Sequence, residues 1–157
     1  MEITEHYPEF FTATILEWKP LLKPDKYKDI IVDSLTYLVK EKRVKVYAFV
    51  IMSNHIHLIW QSLSGYEPKE NQLSFMKYTA QMLLMDLRNN HRAVMEKFRV
   101  DLKDRKYQIW ERNPLSVELR QPDVFNQKME YIHSNPVRAG LCLLAVDYCI
   151  PPPPSTK

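Results

Sequence analysis

The chain has 157 residues, of which 45% are hydrophobic and 26% are charged, with a formal net charge of +3. Such a composition excludes wholesale disorder and predicts one domain over residues 1–150, followed by a proline-rich tail at residues 151–157. The two glycines, Gly65 and Gly140, are too few for a GxxxxGK[ST] loop or a GxGxxG turn, so we expect no nucleotide cofactor. No apolar run is long enough to span a bilayer and no signal-peptide pattern is present, so we expect a cytoplasmic protein without a membrane partner.

The first half of the chain predicts three strands and a helix. FFTATILEW (10–18) is rich in β-branched and aromatic residues and predicts a strand. An apolar stripe predicts a helix over residues 26–41. VKVYAFVIM (44–52) is continuously apolar and predicts a central strand, and HIHLIWQ (55–61) predicts the antiparallel strand that returns from it.

The second half predicts two helices and a further strand. A second apolar stripe predicts a helix over residues 72–90, and RKYQIWE (105–111) predicts a fourth strand. Pro122 and Asp123 begin a third helix. The order βαββαβ with one further helix predicts an α+β fold of the ferredoxin-like kind, with an antiparallel sheet covered on one face. The expected buried stripe of the third helix is Phe125, Met129 and Ile132.

Two histidines stand two positions apart in the strand predicted over residues 55–61. Because side chains alternate along a strand, His55 and His57 lie on the same face. Their Cα atoms should be about 6.6 Å apart, a span that two imidazoles can close by leaning toward one ion. Two ligands do not complete a cation site, and two histidines on an exposed sheet face remain an alternative.

The third helix carries polar side chains that could complete such a cation site. In MEYIHSNPVRAGL (129–141), Tyr131 and Asn135 are four positions apart and lie on one side of a helix. Pro136 disfavours helical geometry at Asn135, so we expect the helix to end or kink there, with the Asn135 amide free to coordinate and Gly140 as a later cap. A tyrosine that simply packs against the core is the alternative for Tyr131.

A basic segment is the other candidate binding feature. KFRVDLKDRKYQIWER (97–112) holds six basic and three acidic residues, and this excess of three equals that of the whole chain. Basic side chains interleaved with aromatic ones can neutralise phosphates and stack bases, although a solvated face with aromatic anchors has the same composition. The candidate DNA-binding residues are Lys103, Arg105, Lys106, Tyr107, Trp110 and Arg112.

VYAFVIMSNHIHLIW and, later in the chain, MEYIHSNPVRAGL resemble the two signature segments of the HUH single-tyrosine transposases. The branch that they resemble is the one associated with repetitive extragenic palindromes (REP). The resemblance implies a metal-dependent endonuclease and strand transferase that acts on single-stranded DNA. Such enzymes cleave beside DNA hairpins through a 5′-phosphotyrosine intermediate.

Carried over to this sequence, the resemblance implies that Tyr131 is the nucleophile and that His55, His57 and Asn135 are metal ligands. The cofactor would be Mg²⁺ or Mn²⁺. The partner would be single-stranded DNA that bears hairpins, so the protein would be associated with the nucleoid. Some relatives also pair with a second copy of the chain. Two alternatives remain: a non-catalytic or domesticated hairpin-binding protein, and a phosphodiesterase that uses activated water.

Overall fold

The computed structural model describes residues 6–139, and side chains as far as residue 134. Gly140 and the proline-rich tail lie outside this part of the chain. None of the helices described is long and apolar enough to cross a membrane. In chain order the elements are β1 (Glu9–Thr14), a 3-10 turn (Leu16–Trp18), α1 (Asp25–Lys40), β2 (Val44–Ile51), β3 (His55–Ser62), α2 (Pro68–Asn90), α3 (Arg92–Glu96), β4 (Arg99–Leu102), β5 (Arg105–Tyr107), β6 (Leu115–Glu118) and α4 (Pro122–Ala139).

Four of the strands form an antiparallel sheet in the order β2-β3-β1-β6. Helix α1 connects β1 to β2, and α2 lies between β3 and β6 in the chain, so the six elements follow the βαββαβ order. Helix α4 is the further helix. The predicted ferredoxin-like α+β fold is confirmed.

Strand β2 lies at one edge of this sheet, so the prediction of a central strand over residues 44–52 is wrong. Among the described strands it pairs with β3 alone. Its continuous apolar sequence has another cause, because helices cover both of its faces. Val46 and Phe49 pack in the core formed with α1 and α2, whereas Ala48 and Val50 pack in a second cluster with α4.

The sheet is likewise covered on both faces, whereas the sequence predicted one. The larger core lies between the sheet and helices α1 and α2, and it includes Phe11 and Trp60. The smaller core lies under α4, where Ile132 packs with Phe10 and Ile59. The apolar stripe predicted on α4 is what requires this second covered face, because a helix stripe must be buried against an apolar surface.

The fourth strand of the sheet is β6, and the prediction that RKYQIWE (105–111) would be this strand is wrong. Strand β5 contains only the beginning of that segment and pairs with β4 in a separate two-stranded ribbon. Gln108, Ile109 and Trp110 are all buried, but they follow the end of β5 and belong to no strand of either sheet. Trp110 forms an isolated backbone bridge with Ile15, just past the end of β1.

Helix α4 continues past Asn135, where the sequence predicted that it would end or kink. It runs to Ala139, so Asn135 and Pro136 both lie within it. The bias against helical geometry before a proline is a preference, and the φ angle of proline is itself compatible with a helix. The hydrogen bond that Pro136 cannot donate is lost in the final turn.

A buried hydrogen bond ties α2 to the chain that follows β5. Trp110 Nε1 donates to Thr79 Oγ1 at 3.0 Å, and Thr79 Oγ1 donates to the carbonyl of Phe75 at 2.8 Å. Thr79 is fully buried. Water therefore cannot replace either partner.

We predict that Thr79→Val lowers the free energy of unfolding by about 1–3 kcal/mol, because the buried Trp110 N–H would lose its acceptor. Urea unfolding of the two proteins measures the difference. Thr36→Val is the matched control, since Thr36 Oγ1 makes the same kind of bond to the Val32 carbonyl on the exposed face of α1. Equal losses in both variants would contradict the role assigned to Thr79.

Candidate functional site

Strand β3 presents the two histidines on the sheet face that α4 covers. In the register of β1 and β3, His57 lies opposite Thr12 and His55 opposite Thr14, while Ile56 packs into the core on the other face. The two imidazole ring centroids are 4.9 Å apart. The alternation predicted from the sequence therefore brings the two rings together.

Each ring is oriented through its Nδ1 atom. Asn54 Oδ1 lies 2.7 Å from His55 Nδ1, and Thr12 Oγ1 lies 2.9 Å from His57 Nδ1. Because an amide oxygen can only accept, His55 carries its proton on Nδ1 and keeps its lone pair on Nε2. Hydrogen bonds of this kind commonly fix the tautomer of histidines that bind metals through the other nitrogen.

Both histidines favour the neutral form. His57 is only 8% exposed, and burial, with smaller contributions from His55 and Lys128, lowers its pKa to about 4. Burial also lowers the pKa of His55. Neutral imidazole is the form that coordinates a metal ion.

Tyr131 on α4 lies against this pair. Its ring centroid is 5.5 Å from that of His57, edge-on, and 6.1 Å from that of Phe10. Phe10 in turn stacks on His57 at 5.2 Å. Tyr131 is 42% exposed, so its ring contacts the core on one side and solvent on the other.

A cation that the sequence analysis did not single out stands beside the tyrosine. Lys128 lies one turn before Tyr131 on α4, and its Nζ is 4.7 Å from the Phe10 ring centroid and 6.0 Å from that of Tyr131. In the described part of the chain no carboxylate forms a salt bridge with it. The spacing of three between Lys128 and Tyr131 was the available sequence signal.

The donor set fits a divalent cation that takes part of its coordination shell from elsewhere. Residues 6–139 contain no group of three or more His, Cys, Asp and Glu side chains that could hold a metal. His55 and His57 would supply two nitrogen ligands. Asn135 follows Tyr131 by four positions in α4, but its side chain lies outside the described part, so its predicted role remains a prediction. Water and phosphate oxygens commonly complete such sites.

The predicted DNA-binding residues divide into exposed and buried groups. Lys103, Arg105, Lys106 and Arg112 are exposed on or near the β4–β5 ribbon. Arg105 is partly neutralised because it donates to Asp104 at 3.1 Å. The ribbon thus carries the positive charge that the sequence predicted.

The two aromatic candidates in the basic segment are less accessible for stacking on DNA bases than the sequence predicted. Trp110 is 6% exposed and packs in the larger core, so we correct its assignment as a base-stacking residue. Tyr107 is half-buried, and its hydroxyl donates to Glu96 at 2.8 Å while accepting from Arg99. Periodicity could not show that this stretch turns inward after Tyr107.

Another tryptophan lies beside the histidine pair. Trp18, at the end of the 3-10 turn, is 61% exposed, and its ring centroid is 6.0 Å from that of His55. The sequence analysis placed Trp18 inside a strand, because its aromatic and β-branched surroundings are typical of one.

Among the solved structures that are similar to this chain are two transposases. A REP-associated tyrosine transposase bound to a REP hairpin has a TM-score of 0.62 at 17% identity, covering 90% of this chain and 73% of that one. A candidate transposase from Deinococcus radiodurans R1 has a TM-score of 0.54 at 12% identity, covering 85% of this chain and 92% of that one. No protein-family model and no curated protein sequence matches the chain. The neighbours are of the kind that the two sequence motifs predict, and the chain has the fold of these transposases.

Proposed function

We propose that this protein is a transposase-like, metal-dependent endonuclease and strand transferase that cleaves single-stranded DNA beside a hairpin. The observation that supports this most directly is the placement of the Tyr131 ring 5.5 Å from that of His57, from elements far apart in the sequence. The REP hairpin held by one structural neighbour supports hairpin DNA as the partner.

In the proposed reaction His55 and His57, with Asn135, would hold Mg²⁺ or Mn²⁺. When bound, such an ion polarises the scissile phosphate and neutralises charge on the leaving oxygen. The Tyr131 oxygen would form a bond to phosphorus while the bond from phosphorus to the 3′ oxygen breaks. The leaving oxygen would take a proton from solvent to become a 3′-OH, and the phenol proton would pass to solvent.

The resulting 5′-phosphotyrosine retains the energy of the broken phosphodiester bond, so the reverse reaction can join the DNA to another 3′-OH. This requires no nucleotide, which is consistent with the lack of glycine-rich phosphate loops in the sequence. Lys128 would contribute a positive charge near the ring of Tyr131, where the phosphate must approach. Its position supports an anionic substrate.

We predict that the wild-type protein, incubated with Mg²⁺ or Mn²⁺ and labelled single-stranded hairpins from the DNA flanking its own locus, forms a covalent adduct. A denaturing gel detects it. Tyr131→Phe should form none, because it lacks the attacking oxygen, while its hairpin affinity should change by less than about twofold. Tyr78→Phe is the matched control, since Tyr78 is also exposed but lies on α2, which packs on the opposite face of the sheet.

An adduct that persists in Tyr131→Phe would exclude this residue as the nucleophile. Tight hairpin binding without an adduct in the wild type would favour the non-catalytic hairpin-binding protein. Cleavage without an adduct would favour the phosphodiesterase that uses activated water.

For the metal site, we predict that His57→Ala weakens Mn²⁺ binding by about tenfold or more, because one of two protein nitrogen ligands is removed. Electron paramagnetic resonance of free Mn²⁺ measures this without DNA or activity. His91→Ala is the control, since His91 is an exposed histidine whose Nε2 bonds to Lys26. Unchanged Mn²⁺ affinity in His57→Ala would exclude the histidine pair as a metal site.

For the ribbon, we predict that replacing Lys103, Arg105 and Lys106 together with alanine weakens hairpin binding and flattens its salt dependence. The slope of log K against log[salt] should fall by about two for three lost phosphate contacts to a single strand. Salt titrations of fluorescence anisotropy provide the measurement. The control replaces three exposed lysines of α1 and α2, which lie across the sheet from the histidines: Lys40, Lys69 and Lys77. An unchanged slope in the ribbon variant would refute the assignment.

A further inference from the structure

Trp18 stands at the edge of the candidate site without a role in the proposed reaction. The chain has three tryptophans, and the other two, Trp60 and Trp110, are 2% and 6% exposed. Trp18 is 61% exposed although it is the largest apolar side chain type. Exposure of one aromatic residue needs no explanation by itself, but a backbone that holds the residue in an unfavourable conformation does.

The backbone at Trp18 is strained. Glu17 and Trp18 have φ angles of +55° and +59°. These lie in the left-handed region, which residues other than Gly, Asn and Asp rarely adopt. Two consecutive residues of this kind persist only when the surroundings hold them. The chain leaves β1 just before these two residues, and the indole of Trp18 is exposed.

Hydrogen bonds on both sides hold this turn. The backbone N–H of Glu17 donates to Glu111 Oε2 at 2.6 Å, and the Leu16 N–H donates to the Ile109 carbonyl at 2.7 Å. On the other side, the Ile15 N–H donates to the carbonyl of Asn54 at 2.9 Å, in the turn that precedes His55. The backbone that leads to Trp18 is therefore anchored to the same turn that precedes the first histidine.

The aromatic rings form a continuous row across the site. Trp18 lies 6.0 Å from His55, His55 lies 4.9 Å from His57, and His57 lies 5.5 Å from Tyr131, all between ring centroids. A phosphate bound between the histidines and Tyr131 would occupy one end of this row. A nucleotide next to that phosphate would then reach the exposed indole at the other end.

We infer that Trp18 is a stacking platform for an unpaired base adjacent to the scissile phosphate. The inference rests on the proposed function, which places the phosphate. Every nucleobase has a π-face, so the platform would accept any base, but that base must be unpaired and unstacked to offer its face. The base-stacking role that the sequence predicted for Trp110 would thus be filled by Trp18. Such a platform would select single-stranded DNA at the position of cleavage.

Tryptophan fluorescence tests this directly, because the other two tryptophans are buried. Titrating the protein with a hairpin that carries a single-stranded flank should quench the emission. A series of hairpins with one abasic nucleotide each should lose the quench at one position next to the cleavage site. Quenching that is the same for every abasic hairpin would overturn the inference.

Variants provide a second readout. Trp18→Asn should weaken binding of the intact hairpin by about tenfold to a hundredfold, as expected for one lost base stack, without changing the salt slope. Asparagine is chosen because it tolerates the left-handed backbone. Trp18→Asn should bind the abasic hairpin as the wild type does. The matched control is Tyr37→Ala, which removes an exposed aromatic ring from α1.

The two proposals fail in different ways. If the wild type forms the covalent adduct and Trp18→Asn binds as tightly as the wild type, the stacking platform is wrong and the proposed function stands. If the quench depends on one base but no adduct forms, Trp18 stacks an unpaired base, but the catalytic function is wrong and with it the placement of that base beside a scissile phosphate. Equal losses of affinity for intact and abasic hairpins would mean that Trp18→Asn acts through the fold, which also overturns the inference.

Discussion

The whole arrangement depends on the register of β3. This strand pairs with β1 on one side and β2 on the other, so its alternation decides what enters each core. In the observed register Ile56 and Leu58 enter the larger core while His57 lies under α4. A slip of one residue would exchange these sets, placing imidazoles in an apolar core and aliphatic side chains at the site. The stability of the sheet and the composition of the site are thus set by the same backbone pairing.

The position of the tyrosine is a consequence of packing in the smaller core. Ile132 is fully buried with Phe10 and Ile59, and Tyr131 precedes it by one position on α4. Burial of the apolar stripe therefore fixes how far the tyrosine ring reaches toward His57. Since both partners lie on regular elements that share a packed core, the distance between them does not depend on a loop.

Sequence patterns predicted the features that depend on local periodicity. Strand alternation predicted that His55 and His57 lie on the same face of the sheet. The proline and the aspartate at the start of α4 predicted where that helix begins. Patterns failed where a strand is buried without having a neighbouring strand on each side. β2 is apolar because helices cover both of its faces, although it pairs only with β3 among the described strands. β6 was missed because it has only four residues, too few for the alternation of Leu115 and Val117 with polar residues to stand out. The outward turn at Trp18 depends on φ angles that its residue type does not indicate.

If Tyr131 is the nucleophile proposed above, its placement beside the histidines of its own chain would set a stoichiometry. One phenol oxygen can hold one DNA end at a time. A mobile segment has two ends, so a molecule with this arrangement must either release the first end before taking the second, or work beside another copy. Under the first scheme the order of the two cuts would be enforced by the occupancy of a single side chain. Under the second, the local concentration of protein would decide whether excision is completed or stops at a nick.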